Sequence, residues 1–424
     1  GNSQQRYFSA LDENDLNVRA GLVYRLKDNV EEISSIRLGY TGRFVDDNFR
    51  ATEYNLTVGR VSTIPSLDDF SLDDYYNQEN LSSGWFEIQK NLDEYTVTKN
   101  IHSAYAEATY QFNSRWIVNL GMKYDKVDME VDYNVNRGGS KGSNKIQKDY
   151  FLPSLNLKYN LNDKHSLRLG ASKTYTLPQA KEISPYRYVG VNFNSQGNPH
   201  LKPSDNYNLD LKWDFNPSPT ELISLTAFYK LIKNPISRIE VASAGGYLSY
   251  ENIADEATVA GVEVEIRKNL FVRPLGSVAN GMNKLSFGLN GSYIYTNAKM
   301  PLATVTTGSQ LEGAAPWIAN FDLSHIFTKG ERSFINTCVL NYVSDKIYTI
   351  GTQGYQDIME RGIVTLDFVS QAKLNKYLSL NLKARNLLNP SYKLSRKANE
   401  SGEKITLGDY KKGINISLGV SCTF

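Results

Sequence analysis

The chain has 424 residues, a formal net charge of +2 and a mean hydropathy of −0.43, with no run of about 18 apolar residues, which excludes a helical membrane protein. Lys and Arg are spread along the chain without clusters, which argues against a nucleic-acid partner, and Cys338 and Cys422 are too few for a disulfide framework and read as packing residues in apolar strand patterns. No linker, low-complexity segment or shift in composition marks a domain boundary, so one architecture is expected throughout, and the 28 Tyr, beside 17 Phe and 4 Trp, are the kind of residue that membrane interfaces collect.

In chain order, the polar start at Gly1 carries no signal peptide, and a removed leader is expected. Val18, Ala20, Leu22, Tyr24 and Leu26 alternate with Arg19, Gly21, Val23 and Arg25, and a turn is predicted from Lys27 to Glu32. Ile36, Leu38 and Tyr40 form the next row, and a polar stretch from Arg60 to Ser83 leads to Ala104, Ala106, Ala108, Tyr110 and Phe112. A tight Asn113-Ser114-Arg115 turn precedes Trp116, Val118, Leu120, Met122 and Tyr124, and Gly138 to Ser143 reads as a loop. Leu155, Leu157 and Tyr159 lead through Asn162-Asp163-Lys164 to Leu167, Leu169 and Ala171. After a Pro-, Gly-, Asn- and Tyr-rich loop of about 25 residues, Leu209, Leu211, Trp213 and Phe215 oppose Asn208, Asp210, Lys212 and Asp214. Later rows are Ile223 to Leu231, Val262 to Ile266, Leu285 to Tyr293, Trp317 to Leu323, Phe334 to Tyr342, Val364 to Phe368, Leu378 to Ala384 and Ile414 to Phe424.

About fifteen such strands are predicted, many longer than the roughly 9 to 11 residues that cross a bilayer at a tilt. Alternation alone fits either a soluble sheet with a wet face or a lipid-facing barrel with a polar lumen. The connections decide between them. Short turns follow Leu26, Phe112, Leu161, Phe215, Phe327 and Leu374, whereas long loops follow Leu56, Tyr133, Leu177, Met300, Tyr342 and Tyr392. The exceptions are a medium connection from Phe271 to Asn283 and a brief Ser243 to Gly246 link. Loops sorted by length onto two ends are the outer-membrane arrangement of short periplasmic turns and long extracellular loops, so the fold class is all-β, an antiparallel transmembrane β-barrel.

Ser184-Pro185-Tyr186-Arg187-Tyr188 and Gly197-Asn198-Pro199-His200-Leu201-Lys202-Pro203-Ser204-Asp205-Asn206-Tyr207 resemble the loop-to-strand signature of TonB-dependent outer-membrane receptors. Ala384-Arg385-Asn386-Leu387-Leu388-Asn389-Pro390-Ser391-Tyr392 resembles that family's penultimate strand. Ile414 to Phe424 resembles its last strand, with a terminal Phe read by the barrel-assembly machinery. Phe228-Tyr229-Lys230 and Lys233-Asn234-Pro235-Ile236 resemble the variety common in Bacteroidetes. The resemblance implies a 22-stranded barrel in the Gram-negative outer membrane, an N-terminal plug and a TonB box. Neither plug nor TonB box is read in residues 1–424, so the whole chain is expected to be the C-terminal portion of the barrel, completed by missing strands; a smaller self-contained barrel is the alternative.

No catalytic or metal-ligating constellation is read. His102, His165, His200 and His325 lie far apart without ligand spacing, Gly138, Gly139 and Gly142 form no phosphate loop, and no enzyme activity or cofactor is expected. The carboxylates Asp46-Asp47 and Asp73-Asp74 read as solvated residues in or near extracellular loops. Tyr186, Arg187, Tyr188, Phe193 and His200 are the candidate ligand contacts, because aromatic faces and hydrogen-bonding tips at a barrel mouth suit ligand capture. Arg37, Arg168, Asp210, Lys212, Lys383 and Arg385 are expected to face the lumen. What the resemblance implies is energised uptake of an extracellular small-molecule, glycan or peptide ligand, by TonB acting on the plug. A passive porin and a surface adhesin are the other readings.

Overall fold

The computed structural model describes residues 4–26, 34–58, 76–136, 140–190, 192–241, 246–276, 281–300, 309–398 and 401–423. Its first strands are β1 (Gln4–Arg25), β2 (Ser35–Val58), β3 (Phe86–Gln111), β4 (Trp116–Val135), β5 (Ser140–Asn160) and β6 (His165–Thr176), with α1 (Gln78–Ser82) before β3. After α2 (Ala180–Ile183) come β7 (Arg187–Tyr188), β8 (Ser195–Gln196), β9 (Ser204–Phe215), β10 (Leu222–Lys233), β11 (Ile236–Val241) and β12 (Tyr247–Asn252). The chain continues through β13 (Glu256–Pro274), β14 (Met282–Ala298), β15 (Trp317–Lys329), β16 (Arg332–Val343), β17 (Lys346–Thr349) and β18 (Ile358–Glu360). It ends with β19 (Ile363–Lys373), β20 (Leu378–Arg385), β21 (Ser391–Lys397), β22 (Lys404–Lys411) and β23 (Asn415–Cys422).

Fifteen of these strands form one antiparallel sheet in the order β1-β2-β3-β4-β5-β6-β9-β10-β13-β14-β15-β16-β19-β20-β23, with β1 and β23 at its edges. The other eight form two small four-stranded sheets in the long connections. The expected strand number therefore holds, with four local corrections. Ser140 to Ser143 are strand, not loop: β4 and β5 pair as far as Val135↔Ser140, so no long loop follows Tyr133. The Ser243–Gly246 link joins no two wall strands, because β11 and β12 belong to a loop sheet, and the connection from β10 to β13 is long like its neighbours. Asp46 and Asp47 lie within β2, with Asp47 buried. Cys338 and Cys422 are exposed, on the sheet's apolar outer face. The turn at Lys27 to Glu32, Asp73-Asp74 and Phe424 lie outside the described residues.

Cross-strand register shows why one face is apolar. Leu38 pairs with Ala106, Ala106 with Met122, Leu120 with Leu155, Leu157 with Leu169, and Leu169 with Leu211. Because side chains alternate faces with a period of two, each pairing carries the apolar row to the next strand. Aromatic rings edge this band. Toward the short turns, Trp116 packs on Tyr159 at 4.3 Å and His165 on Phe215 at 4.3 Å. Toward the long loops, Phe44 packs on His102 at 5.3 Å and Tyr124 on Phe151 at 5.2 Å. Two aromatic girdles around an outward apolar band are what a barrel in lipid requires. On the inner face, Tyr105 lies across Gly39, where a Cβ would come within 2.4 Å of its ring; the missing side chain lets an aromatic cover bare backbone.

Beyond the loop-side girdle the alternation slips by one residue. In β4 the apolar row Trp116, Val118, Leu120, Met122, Tyr124 faces out, but Val127, Met129, Val131, Tyr133 and Val135 face in, while Asp128, Glu130 and Asp132 take the outer face. β2 and β3 do the same: Val45, Phe49 and Ala51, and Tyr95 and Val97, are buried on the inner side. The cause is the solvent. Where lipid ends the outer face meets water and the inner face meets folded loops, so the apolar side moves inward. Val97, Met129 and Val131 are wholly buried, each worth about 1.5 to 3 kcal/mol of apolar transfer.

Candidate functional site

The long connections pack together above the polar inner face. The loop from Leu177 to Pro203 enters through α2, whose capping box has the Gln179 N–H donating to Glu182 at 2.9 Å. Ile183 and Tyr186 then join Phe49, Ala51, Tyr95, Val97, Met129, Val131 and Val135 in one buried cluster. Phe49 stacks on Tyr95 at 4.7 Å and contacts Tyr186 at 4.9 Å and Tyr188 at 5.7 Å. The Tyr186 hydroxyl donates to Tyr7 at 2.8 Å, and the hydroxyls of Tyr95 and Tyr188 share a bond of 2.5 Å. Burial raises the Tyr186 and Tyr188 phenols well above their usual range, so both stay neutral.

Tyr186 and Tyr188 thus anchor the loop to the wall instead of standing open at a rim. Arg187 lies over the Tyr247 ring at 5.5 Å, Phe193 faces Tyr348 with centroids 6.3 Å apart, and His200 is exposed with its N–H donating to the Asn198 side chain at 3.0 Å. The five are not brought to one point. The motif around them is a set of staples. Asn198 donates from its backbone to the Glu182 carbonyl at 2.6 Å and from its side chain to the Tyr250 carbonyl at 2.9 Å. A Cβ at Gly197 would sit 2.0 Å from the Ser184 carbonyl oxygen, so only glycine admits that approach. The Asn252 amide ties Lys202 to Asn234 by donating to both carbonyls at 2.9 Å, which joins the Lys-Pro and Asn-Pro pairs of two connections.

A second body links the two small sheets. Ile239 and Ile350 form a parallel bridge, with the Glu240 N–H donating to the Ile350 carbonyl at 3.1 Å and the Ile350 N–H to Arg238 at 3.0 Å. Around it pack Ile253, Ala254, Ala257, Ala298, Leu311 and Ile347. The largely buried Arg396 guanidinium pairs with Glu240, whose carbonyl also accepts from Thr352. Sequence reasoning singled out none of these residues, since no local pattern announces a contact across 156 positions.

Between the two bodies lies a cavity of about 300 Å³ bounded by Gln179, Glu182, Ser204, Asn206, Ser237 and Glu312. Glu312 accepts the Arg238 N–H at 2.5 Å and pairs with its guanidinium at 3.3 Å. Burial raises both Glu312 and Glu182 above the ordinary value of 4.5, and the Arg238 charge only partly offsets it. The cavity therefore offers hydroxyl, amide and carboxyl groups, suited to a polar, donor-bearing ligand. A carboxyl raised on folding holds its proton where the unlocked loop has lost it, so its contribution is complete below 4.5 and declines as pH rises through the folded value. Protection of the Arg238 amide, corrected for intrinsic exchange, is expected to fall as pH rises above 4.5; constant protection across that rise would contradict the assignment.

The six charged residues expected in the lumen sit on the polar inner face. Arg168 and Lys212 approach Asp214 at 3.6 and 3.3 Å, Arg37 is the cross-strand partner of Glu107, and Asp210 lies between Gly170 and Phe228. Lys383 and Arg385 face Ser417 and Asn415 across β20 and β23.

A polar-lined, apolar-jacketed sheet with a folded cap over one end defines an outer-membrane β-barrel. Residues 2–387 match the family described as TonB dependent receptor-like, beta-barrel, and the chain belongs to that family of transport receptors in the Gram-negative outer membrane. It is 24% identical over 269 residues to the iron-regulated outer membrane virulence protein of Vibrio cholerae serotype O1, covering 61% of this chain and 38% of that one. It superposes on the ferric yersiniabactin uptake receptor FyuA from Yersinia pestis with a TM-score of 0.61 at 14% identity, over 100% of this chain and 56% of FyuA. The siderophore receptor PiuA from Acinetobacter baumannii gives 0.58 at 13% identity, over 97% and 56% of the two chains. The chain thus spans well under two thirds of these relatives.

Proposed function

We propose that residues 1–424 are the barrel portion of a receptor that captures an extracellular ligand at the packed loops and admits it by TonB-dependent, energised uptake. The observation that carries this reading is the loop body itself: connections that a passive pore has no need to interlock are cross-stapled over a polar interior and enclose a polar cavity. Arg187, Phe193 and His200 are the proposed ligand contacts, with Tyr186 and Tyr188 holding their loop. Arg37, Arg168, Asp210, Lys212, Lys383 and Arg385 are proposed to line the solute path and meet a plug. Edges at β1 and β23 would leave backbone groups unpaired in lipid, so further strands are proposed to complete the barrel. The barrel-assembly machinery and TonB are its proposed partners.

Iron complexes are the first ligand class to test, since the relatives are named for iron and siderophores; haem, cobalamin, glycans and peptides are the further arms. Cells carrying the full-length protein are expected to accumulate one labelled class saturably, and to lose that uptake when TonB is deleted. Nonselective conductance by the reconstituted protein, with no energy requirement, would replace this reading with a passive channel.

A further inference from the structure

The row that puts Leu167, Leu169 and Ala171 of β6 on the lipid side also puts Lys173 there. A lysine on that face costs about 2 to 4 kcal/mol at the bilayer midplane and little at the interface, so its position calls for a partner. Lys173 stands where the wall parts: β5 and β6 pair only as far as Ser154↔Ser172, and the next residue of β5, Pro153, has no N–H to extend the ladder. Beside this break the outer surface is hollowed into a trough of about 710 Å³, because Ala106, Ala108 and Ala171 are small between Leu120, Met122 and Pro153. That volume is in the range of small-molecule sites. Lys173 and Tyr207 close its loop-side end, with the ammonium over the Tyr207 ring at 5.4 Å. Pro153 lies two residues from Phe151 of the loop-side girdle, so a lysine there reaches the headgroup level of the outer leaflet.

Charge decides the occupant. Asp205 takes Lys148 at 2.9 Å and Lys173 at 3.6 Å, two ammonium groups on one carboxylate, which leaves one positive charge in the cluster. We propose that this trough is a site for an anionic lipid of the outer membrane, its phosphate on Lys173 and one acyl chain along the alanine-floored groove. The chemistry the site reads is a lipid phosphate, which lipid A and an anionic glycerophospholipid share.

The test is native mass spectrometry of the full-length protein from outer membranes, delipidated and titrated with phosphatidylglycerol, phosphatidylcholine or lipid A. One lipid is expected to bind, with phosphatidylglycerol or lipid A favoured over phosphatidylcholine by about fivefold, the effect of one lysine at a membrane surface. Lys173→Gln is expected to abolish the headgroup preference, and Lys173→Arg to keep it. Ala106→Phe with Ala171→Leu, which fills the trough and leaves the charge, is expected to remove the bound lipid whatever its headgroup. Lipid A binding alone would identify an outer-leaflet source, and binding of both a site general for anionic lipids. Equal retention of phosphatidylcholine, or retention unchanged in the filled variant, would overturn the proposal and leave an ordinary annular shell.

Discussion

Phe49→Ala is expected to release the Leu177–Pro203 loop from the wall while leaving the barrel in the membrane. Phe49 is buried among Tyr95, Tyr186 and Tyr188, and truncating a buried Phe costs about 3 to 5 kcal/mol. The cavity would open inside the loop cluster, above the loop-side girdle, so the lipid-facing rows are untouched. At 1.4 kcal/mol per decade, exchange at the Ile183 and Ser184 amides, which close α2 on Gln179 and Ala180, should quicken by roughly two to three and a half orders of magnitude. Outer-membrane abundance should not change. Unchanged exchange in the variant would show that the aromatic cluster does not hold the loop.

Arg396→Ala is expected to have the next largest effect. It strands the buried Glu240 carboxylate, and removing one partner of a buried pair costs about 3 kcal/mol or more, whereas replacing both by apolar groups is often neutral. The readout is the Glu240 and Ile350 amides, whose bonds join the two small sheets. Exchange at both should rise about a hundredfold in Arg396→Ala and far less in Arg396→Leu with Glu240→Met. Equal loss in the single and double variants would mean that the pair itself, and not the stranded charge, locks the sheets.

The wall was legible in the sequence because lipid imposes one rule on every strand. Residues such as Leu120, Leu155, Leu169 and Leu211 repeat the period of two, and register follows from keeping them on one face. The slip between Tyr124 and Val127 is present in the sequence as a change of parity, and it marks where strand leaves lipid. Asp46 and Asp47 lie beyond the equivalent point of β2, where charge on the wall no longer means loop, and the Gly- and Ser-rich composition of Gly138 to Ser143 has the look of a loop although Ser140 to Ser143 pair in the wall. The loop sheets were not legible, since β17 and β18 pair over short stretches and dock through Ile239↔Ile350 and Glu240 with Arg396, contacts set by tertiary packing. Motif recognition found Gly197 to Pro203 and Asn234-Pro235 for their pattern; the structure gives the physical reason, which is backbone stapling.

The inversion of polarity along β4 carries the membrane placement, and a cysteine scan tests it most directly. With Cys338 and Cys422 replaced by serine, single cysteines are placed by Leu120→Cys, Met122→Cys, Met129→Cys, Glu130→Cys, Val131→Cys and Asp132→Cys and probed in intact outer membranes. Positions 120 and 122 are expected to react only with a lipid-soluble maleimide, 130 and 132 with a water-soluble one, and 129 and 131 with neither. Water-soluble labelling at 120 and 122 with protection at 130 and 132 would contradict the assignment of lipid and water along the strand.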